Sequence, residues 1–532
     1  MNVRRLVMHA RFALGFPRYL RHRVTLEEAR AEVARRLETR GESFLKLVTR
    51  AVFGHRASPY RPLFELASCE LGDLEHSVRA RGLEGALREL RAAGVYVSYE
   101  ELKGRVPMVR QGREIPVSPG AFDNPFLRAA YEKGTGGTTG PRTRVMTDLD
   151  NLRAKAMMGR LVDEINGTRG LPMAVWRGLL PDNGLGAMIS RLPFGTVPER
   201  WFTPVAAEQL RGALEYRLAT AYVLRASRLF GVPLPDPEPV PVDRALTIAR
   251  WAADAIARAG GCHLRAYVSL LVRVSVAAQE EGLDLTGAVF GGGGEPPTPA
   301  KVAQIERSGA RYLPSYHVSE LGRVGVSCLA PVEENDHHFC ADHLALIQHP
   351  TKMPGLDLEV DAFCFTTLLP SAPKIAINVE SDDDGVVEER ACGCPWEELG
   401  LRFHVRSVRS YRKLTGEGMT LIGSDVVRLL EEELPARFGG ASTDYQLVEE
   451  EDPGGQTRLT LRVSPRVALV DEQEIQQAML EGLAEGSPAA DLARATWSSA
   501  GTLRVRREEP VWTAGGKLMP LQLGSRTRAV RS

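Results

Sequence analysis

The sequence predicts a mixed α/β (α+β) protein with a large N-terminal domain of sheets covered by helices, residues 1–410, and a small C-terminal α+β domain, residues 411–532. Three observations lead to this fold class. The length of 532 residues exceeds the roughly 100 to 200 residues of a typical domain. After residue 117, short apolar runs alternate with helical stretches and are interrupted by glycine and proline, which is typical of a sheet covered by helices. Beyond residue 409 helices and strands alternate compactly, which indicates a second, smaller domain.

The composition excludes several classes of protein. Apolar residues make up 43% and charged residues 25%, which is typical of an ordinary globular chain. The 67 Lys and Arg residues balance the 67 Asp and Glu residues, so we expect no nucleic-acid partner. Seven cysteines, a small and odd number, argue against a disulfide framework and favour a reducing, cytoplasmic location. The stretch nearest to a membrane span, residues 267–278, is interrupted by Arg273, so we expect no transmembrane segment.

The first 115 residues predict a helical lead-in to the large domain. Between residues 26 and 101, Ala, Leu and Val recur against Arg and Glu with a period near 3.6. Ahead of them, arginines at positions 4, 5, 11, 18, 21 and 23 interrupt every short apolar run, which fits a basic amphipathic helix and not a secretion signal. Two interpretations of that helix are open: it packs on the domain, or it contacts a membrane surface or a partner.

Local patterns predict the elements that follow. Residues 233–242 (PLPDPEPVPV) are too rich in proline for a helix and indicate a surface connection. The other predicted elements of the large domain are a strand at 287–290, a helix at 299–308 and a strand at 312–314. Those of the small domain are a helix at 423–438, a strand at Thr457–Val463, a helix at Glu472–Gly482 and a strand at 502–506.

Residues 134–142 (GTGGTTGPR) form a glycine-rich stretch ahead of a predicted strand at 144–146. Glycine lets the backbone approach an anion closely, and threonine hydroxyls and an arginine add donors to phosphate oxygens. Neither the Walker pattern nor the dinucleotide-binding pattern is met. Taken alone, the stretch is either a phosphate-binding loop or a flexible connection.

Further stretches carry residue types suited to nucleotide chemistry. Residues 290–296 leave a strand through a glycine turn against which a flat ligand could lie, and residues 316–320 (YHVSE) combine an aromatic ring with a carboxylate. A carboxylate suits Mg²⁺, which prefers hard oxygen ligands beside substrate phosphates. Residues 378–385 contain three consecutive acids, which alone indicate only an exposed charged turn. Near the end, residues 510–517 finish in Gly-Gly-Lys.

Taken in this order, the stretches resemble motifs of the adenylate-forming superfamily, which includes acyl-CoA synthetases, adenylation domains and luciferases. The phenylacetate-CoA ligase branch is the most similar. Residues 134–142 resemble the TSGTTGxPK loop, although Gly136 replaces serine and Pro141-Arg142 stands where a basic residue and proline normally follow. Residues 316–320 resemble YGxTE, with His317 in place of glycine and Ser319 in place of threonine.

Three later stretches complete the resemblance, which covers roughly residues 123–519. Residues 378–385 fall where the family has YRTGD, 408–412 where it has GRxDD, and 510–517 match its terminal PxxxxGK. Both carboxylates of GRxDD, which mark the interdomain hinge, are missing here. The three consecutive acids also leave the alignment of the ribose-binding aspartate open by one residue.

The resemblance implies a role for each matching residue. Lys517 and Thr138 are catalytic, and Glu320 holds Mg²⁺ and acts in catalysis. Tyr316 stacks on adenine, Ser319 touches the α-phosphate, and Asp382 accepts the ribose hydroxyls. The remaining nucleotide-binding residues are Gly137, Thr139, Gly140 and Arg142 at the pyrophosphate, Gly294 and Glu295 at the adenine, and Arg409 at the ribose or phosphate.

The resemblance also implies an activity. A small-molecule carboxylic acid would be activated with ATP and Mg²⁺ to an acyl adenylate, rotation of the small domain would then withdraw Lys517, and CoA would capture the acyl group. Transfer to a carrier-protein phosphopantetheine or a protein thiol, and a non-catalytic nucleotide-binding protein, are the alternatives. The apolar residues around the expected acid pocket suggest an aromatic or aliphatic acid, unless they belong to the core: Trp176, Leu179, Leu180, Met188 and Phe194.

A zinc site is predicted after the Tyr316 stretch. Thiolates and imidazole are the ligands that zinc prefers, and a closed set of four is structural. Some relatives of phenylacetate-CoA ligase bind structural zinc with a similar pattern, which implies Cys328, His338, Cys392 and Cys394 as ligands here. His337 is an alternative ligand, and a set of ordinary buried thiols is the alternative without metal.

Overall fold

The computed structural model describes residues 3–134, 144–178, 184–204, 214–294, 297–352, 359–410, 415–416, 419–420, 423–451, 457–468, 471–482, 503–512, 516 and 518–523. No helix in these ranges is both long and apolar enough to cross a membrane.

Helices dominate the N-terminal part of the chain and recur between the strands. They are α1 (Val3–Arg21), α2 (Leu26–Glu38), α3 (Arg40–Val48), α4 (Arg61–Leu66), α5 (Leu71–Ala92), α6 (Tyr99–Leu102), α7 (Leu149–Ile165), α8 (Gly184–Ile189), α9 (Leu214–Leu229), α10 (Ala245–Ala259), α11 (Val268–Glu280), α12 (Pro299–Glu306), α13 (Pro395–Glu398), α14 (Gly423–Arg428), α15 (Leu434–Phe438) and α16 (Glu472–Gly482).

The strands form one large sheet, one sheet in the C-terminal part and three short pairs. They are β1 (Met108–Arg110), β2 (Arg113–Ile115), β3 (Tyr131–Gly134), β4 (Arg144–Thr147), β5 (Met173–Trp176), β6 (Arg200–Thr203), β7 (Pro237–Pro239), β8 (Cys262–Ala266), β9 (Ala288–Gly293), β10 (Arg311–Val318), β11 (Gly322–Ser327), β12 (His337–Phe339), β13 (Leu344–Lys352), β14 (Glu359–Thr367), β15 (Val379–Glu389), β16 (Phe403–Ser410), β17 (Thr415–Gly416), β18 (Met419–Thr420), β19 (Tyr445–Glu451), β20 (Thr457–Val463), β21 (Leu503–Arg506) and β22 (Leu521–Leu523).

The large sheet has twelve strands in the order β13-β14-β15-β16-β12-β11-β10-β9-β8-β5-β6-β7. The half from β7 to β10 is parallel, and the half from β10 to β13 is antiparallel. Chain order reverses between β5 and β8, because β6 and β7 extend the sheet on one side of β5 and β8 to β10 on the other. In an open parallel sheet such a reversal opens a crevice at the carboxyl ends of the strands, where ligands bind.

Both faces of the parallel half are covered, which explains why strands such as β5 (MAVW) are buried throughout. On one face α10, α11 and α12 pack against a core that contains Trp176, Leu264 and Phe290. On the other face α1, α8 and α9 contribute to a core that includes Phe16 and Trp201. The basic N-terminal helix therefore packs on the domain, as one of its two interpretations proposed.

The C-terminal part has a core of its own. Its sheet has the order β21-β20-β19-β22, and α14, α15 and α16 pack on it through residues such as Leu430 and Ile475. The predicted mixed α/β fold class, with a smaller C-terminal α+β unit, is thus confirmed. The helix predicted at 423–438 is α14 and α15 joined by a π-helical turn at Leu429–Glu433.

One local prediction needs correction. The proline-dense residues 233–242 are not only a connection, because they contain β7, which pairs in parallel with β6 at the edge of the large sheet. Proline is tolerated there because an edge strand leaves one row of N–H groups unpaired in any case.

Candidate functional site

The carboxyl end of β9 consists of glycines that pack closely against β10. A Cβ atom on Gly292 would lie 2.6 Å from Tyr312 Cε2, and one on Gly293 would lie 2.6 Å from the carbonyl oxygen of Ser315. Only glycine fits these positions, because the Tyr312 ring and Ser315 occupy the space that a side chain would need. Gly294 follows with φ of +84°. Glu295, its predicted partner at the adenine, lies outside the described residues.

Tyr316 lies in β10 next to the acidic run of β15. Its hydroxyl donates a hydrogen bond to Asp383 Oδ2 at 2.7 Å. Burial and the Asp383 carboxylate raise the pKa of Tyr316 well above its usual value, so the hydroxyl stays protonated. Asp382, the predicted ribose ligand, is buried and has a φ of +63°. The structure therefore brings Tyr316 and the acidic run together, with Asp383 in direct contact with the tyrosine.

Glu320 forms a buried ion pair that the sequence analysis missed. Lys103 Nζ donates a hydrogen bond to Glu320 Oε1, and both side chains are only 5% exposed. Burial and the carboxylates of Glu320, Asp382 and Asp383 raise the pKa of Tyr99. No local pattern marks Lys103, because its partner lies 217 residues away along the chain.

The structure gives only the position in the fold for two further predicted residues, Ser319 and Arg409. Ser319 is exposed in the turn between β10 and β11. Arg409 lies in β16, where its backbone is opposite Asp384 of the acidic run. The other predicted residues of the nucleotide site lie outside the described residues: Gly137, Thr138, Thr139, Gly140, Arg142 and Lys517. The strands on either side of the glycine-rich stretch, β3 and β4, pair antiparallel with each other.

The chain on both sides of Lys517 is held to the small sheet by one buried glutamine. Gln446, in β19, is fully buried. Its Nε2 donates hydrogen bonds to the carbonyl oxygens of Val511 at 3.0 Å and Met519 at 2.9 Å, and its Oε1 accepts one from Val511 N at 2.6 Å. A single side chain therefore ties both arms of this C-terminal tail, residues 510–520, to β19.

The same tail contacts the large domain at the carboxyl edge of its parallel strands. Leu518 N donates a hydrogen bond to Ser269 Oγ at 3.1 Å. A Cβ atom on Gly516 would lie 3.0 Å from Pro204 Cβ and 3.1 Å from Leu270 Cδ1, so the backbone approaches this surface closely. Pro204 directly follows β6, and Ser269 and Leu270 lie in the first turn of α11, just after β8. The residues that flank Lys517 thus lie at the crevice expected for a ligand.

A cluster of thiols and imidazoles lies where the zinc site is predicted. Ligand atoms of Cys328, His338, Cys392 and His404 all lie within 4.8 Å of one another. Cys394 Sγ is 3.0 Å from His338 Nε2 and 3.4 Å from Cys392 Sγ. The four predicted ligands are therefore close together, and His404 is a fifth donor that the sequence analysis missed.

Both histidines of this cluster have Nδ1 hydrogen-bonded to a group other than the thiols, and His338 Nε2 lies near the thiols. His338 Nδ1 donates a hydrogen bond to the carbonyl oxygen of Leu401 at 2.7 Å, and His404 Nδ1 donates one to Asp336 Oδ1 at 2.8 Å. His404 Nε2 is buried without a hydrogen-bond partner among the described residues. Burial lowers the pKa of His338 to about 4, so its imidazole is neutral. A backbone carbonyl or carboxylate on Nδ1 is the usual support of a metal-ligating histidine, so the donor set fits zinc.

His337, the alternative ligand, belongs to the other face of the sheet. Successive side chains of a strand point to opposite faces, so in β12 His337 is turned away from His338. Its ring centroid lies 6.2 Å from that of Tyr316. His337 therefore adjoins the predicted nucleotide site and not the thiol cluster.

Three residues proposed to line the acid pocket are placed by the structure. Trp176 is fully buried in the core with α10 and α11, and its Nε1 donates a hydrogen bond to the carbonyl oxygen of Val240 at 3.1 Å. Met188 is buried in the core on the opposite face, and Phe194 is buried against Gly159 of α7. For Trp176 and Met188 the core interpretation therefore holds. Leu179 and Leu180 lie outside the described residues.

No family model matches this sequence, and neither does any curated protein sequence. Among solved structures, the chain is similar to a 2-hydroxyisobutyryl-CoA ligase in complex with 2-HIB-AMP and CoA, with 14% identity, a TM-score of 0.43, and coverage of 92% of this chain and 90% of that one. It is similar to an anthranilate-CoA ligase in complex with anthranoyl-AMP, with 10% identity, a TM-score of 0.45, and coverage of 74% and 65%. A third is the amide bond synthetase McbA from Marinactinospora thermotolerans, with 13% identity, a TM-score of 0.32, and coverage of 86% and 91%.

Proposed function

We propose that the protein is an ATP-dependent ligase that activates a small carboxylic acid as an acyl adenylate and then transfers the acyl group to a thiol, CoA in the simplest case. One observation carries the proposal. The tail residues next to Lys517 contact Ser269 and Leu270 at the carboxyl edge of the parallel strands, the edge to which the glycine turn at Gly292 also belongs. The motif order along the chain and the position of the β9 glycines and the tail on one edge are independent observations that agree.

The proposed reaction follows from the residue types at this edge. The carboxylate of the acid attacks the α-phosphorus of ATP, and pyrophosphate leaves. Negative charge spreads over the α-phosphoryl oxygens in the transition state, where the ammonium group of Lys517 would stabilise it. Holding both reactants in one crevice replaces a chance encounter by a positioned displacement, which contributes up to about 7 to 11 kcal/mol.

The carboxylates around Tyr99 suit the Mg²⁺ that accompanies ATP. Oxygen ligands from Glu320, Asp382 and Asp383 are the type that Mg²⁺ prefers, and when bound the ion offsets phosphate charge. Glu320 is paired with Lys103, so we propose that Lys103 holds this carboxylate in its buried position until nucleotide arrives. A reducing cytoplasmic location agrees with the seven free cysteines.

The test of the proposed function is ATP–pyrophosphate exchange with a panel of aryl, fatty and dicarboxylic acids. We expect exchange that requires Mg²⁺ and one class of acid, and thioester formation when CoA is added. Exchange without thioester formation from CoA, but with loading of a holo carrier protein, identifies the alternative acceptor. Nucleotide binding without exchange for any acid identifies a non-catalytic binding protein and contradicts the proposal.

We propose that the thiol cluster binds one structural zinc ion through Cys328, His338 and Cys392, with Cys394 as the fourth ligand. The position of His404 makes it the competing fourth ligand, because its Nε2 is buried and unpaired while its Nδ1 is held by Asp336. The ion would join β11, β12 and the segment ahead of α13, which are distant in sequence. Since its ligands come together only in the folded chain, zinc affinity contributes to the stability of the fold.

Metal analysis of purified protein is expected to give about one equivalent of zinc and to fall below about a tenth in Cys328→Ser and Cys392→Ser. Cys364→Ser is the matched control, because Cys364 is a buried thiol of β14 outside the cluster. Loss of zinc in Cys394→Ser with retention in His404→Gln supports Cys394 as the fourth ligand, and the reverse assigns His404. Less than a tenth of an equivalent in the unmodified protein contradicts the zinc site.

A further inference from the structure

A cluster of three arginines, Arg191, Arg265 and Arg323, lies near the parallel strands together with one described carboxylate, that of Asp163. Arg191 follows α8 and is buried, and its Nη1 donates a hydrogen bond to Asp163 Oδ1 at 2.7 Å. Thr196 Oγ1 donates a second hydrogen bond to the other oxygen of Asp163 at 3.0 Å. The one carboxylate of the cluster is therefore already committed to Arg191.

Arg265, in β8, carries the positive charge that is left over. None of the described residues accepts a hydrogen bond from its guanidinium. Burial, Arg191 and Arg323 lower the pKa of Arg265 well below its usual value, and the same surroundings lower the pKa of His263 to about 3. With His263 neutral, three guanidiniums face a single carboxylate within the described part of the chain, and an incoming anion would offset the excess charge.

The place of Arg265 in the fold is that of a ligand-binding residue. It is the penultimate residue of β8, at the β5–β8 boundary where chain order reverses. Its pairing partner in the adjacent strand β9 is Gly291. A Cβ atom on Gly291 would lie 3.4 Å from Arg265 Cγ and 3.8 Å from Arg265 Nη1. The absence of a side chain at Gly291 leaves space beside the guanidinium. The strand end after Arg265 leads directly into Ser269 and Leu270, which contact the tail.

We propose that the acid activated here carries a second anionic group, and that Arg265 binds that group while the other carboxylate reacts. The simplest substrate class is a dicarboxylic acid. This inference rests on the proposed function and narrows it, because the apolar residues of the sequence suggested only an aromatic or aliphatic acid. The second group stays chemically unchanged, and only the first carboxylate forms the bond to phosphorus.

Discrimination should be strong because the bound acid would cover the half-buried guanidinium of Arg265, which has no carboxylate partner among the described residues. A monocarboxylic acid of the same length would cover Arg265 with apolar atoms and leave the guanidinium without an anion. Truncating one partner of a buried ion pair typically weakens binding by about a hundredfold or more. We therefore expect specificity to reside in the Arg265 side chain and not in the length of the acid alone.

The experiment compares ATP–pyrophosphate exchange for pairs of acids of equal carbon number, such as succinate with butyrate, adipate with hexanoate and terephthalate with 4-methylbenzoate. We expect a dicarboxylate to exceed its monocarboxylate partner by about a hundredfold in kcat/KM. Arg265→Met should reduce kcat/KM for that dicarboxylate by about the same factor and raise the monocarboxylate value, because no guanidinium is then left without an anion. Arg265→Lys should lie between the two. Arg258→Met is the control, because Arg258 is exposed and pairs only with Glu199 at 3.1 Å.

The outcomes separate this inference from the proposed function. A preference for monocarboxylates, or an unchanged ratio in Arg265→Met, overturns the inference while exchange itself upholds the ligase. If no acid supports exchange, the ligase proposal fails, and calorimetric titration with the same dicarboxylates decides the anion site. Binding to the unmodified protein that is lost in Arg265→Met upholds the site, and no binding to the unmodified protein overturns it. The thermal unfolding midpoint of each variant shows whether a loss of activity or binding is due to unfolding.

Discussion

Replacing Lys517 by alanine is expected to reduce acyl-adenylate formation by about a hundredfold or more and to leave ATP binding nearly unchanged. The neighbours of this residue, Gly516 and Leu518, contact Leu270 and Ser269 at the edge of the parallel strands. A cation that reaches the α-phosphate only when the small domain is closed stabilises the transition state more than bound ATP. Pyrophosphate exchange measures the loss, and calorimetry measures ATP affinity.

Lys46→Ala is the matched control for this variant. Lys46 is an exposed lysine of α3 that pairs with Glu42 at 3.3 Å, far along the chain from the tail. If Lys517→Ala catalyses pyrophosphate exchange at the rate of the unmodified enzyme, Lys517 has no catalytic role. Equal losses of exchange and of ATP affinity would instead make Lys517 a ground-state nucleotide contact.

Local patterns determine much of the secondary structure. The strand Thr457–Val463 and the helix Glu472–Gly482 have the predicted bounds, because alternation and helical periodicity are properties of the segment itself. β7 was missed because its residues carry no strand pattern and pair with β6 through a contact between segments distant in sequence. Edge pairing of this kind depends on the rest of the sheet.

The candidate site likewise contains residues that were predicted from the sequence and residues that only the fold identifies. Cys328, His338, Cys392 and Cys394 were predicted from a resemblance and lie together, but His404 was missed, although it follows the Cys-Gly-Cys pair in the same region. Its identification depends on Asp336, which is 68 residues away. The roles proposed for Lys103 and Arg265 could not be predicted from the sequence either. They depend on contacts with Glu320 and Gly291, which only the fold brings close.

A buried ion pair links the large domain to the C-terminal part in the orientation described. Lys301, in the first turn of α12, lies with its Nζ 2.5 Å from Oε1 of Glu431, in the π-helical turn after α14, and the two side chains are 2% and 0% exposed. Thr298, the N-cap of α12, donates a hydrogen bond to the other oxygen of Glu431. The carboxylate thus lies at the positive end of the α12 dipole, which adds to its stabilisation.

Lys301→Met is therefore expected to slow adenylate formation by on the order of a hundredfold and to leave thioester formation from supplied acyl adenylate nearly unchanged. Removing one partner of a buried ion pair costs about 3 to 5 kcal/mol, because the other charge stays buried without its partner. That cost applies only to a domain orientation in which Glu431 is covered. In the rotation that the proposed reaction calls for, the carboxylate would return to water. Single-turnover measurements of the two half-reactions separate the effects.

The double variant Lys301→Met, Glu431→Leu tests whether the unpaired Glu431 carboxylate causes the slower adenylate formation. It removes both charges and keeps apolar volume at the interface, so adenylate formation should recover by about tenfold or more relative to Lys301→Met. Equal slowing of both half-reactions in Lys301→Met, without recovery in the double variant, would mean that the pair supports α12 itself and does not select a domain orientation. Recovery confined to adenylate formation would make Lys301 and Glu431 the contact that holds the C-terminal part in place while the acid is activated.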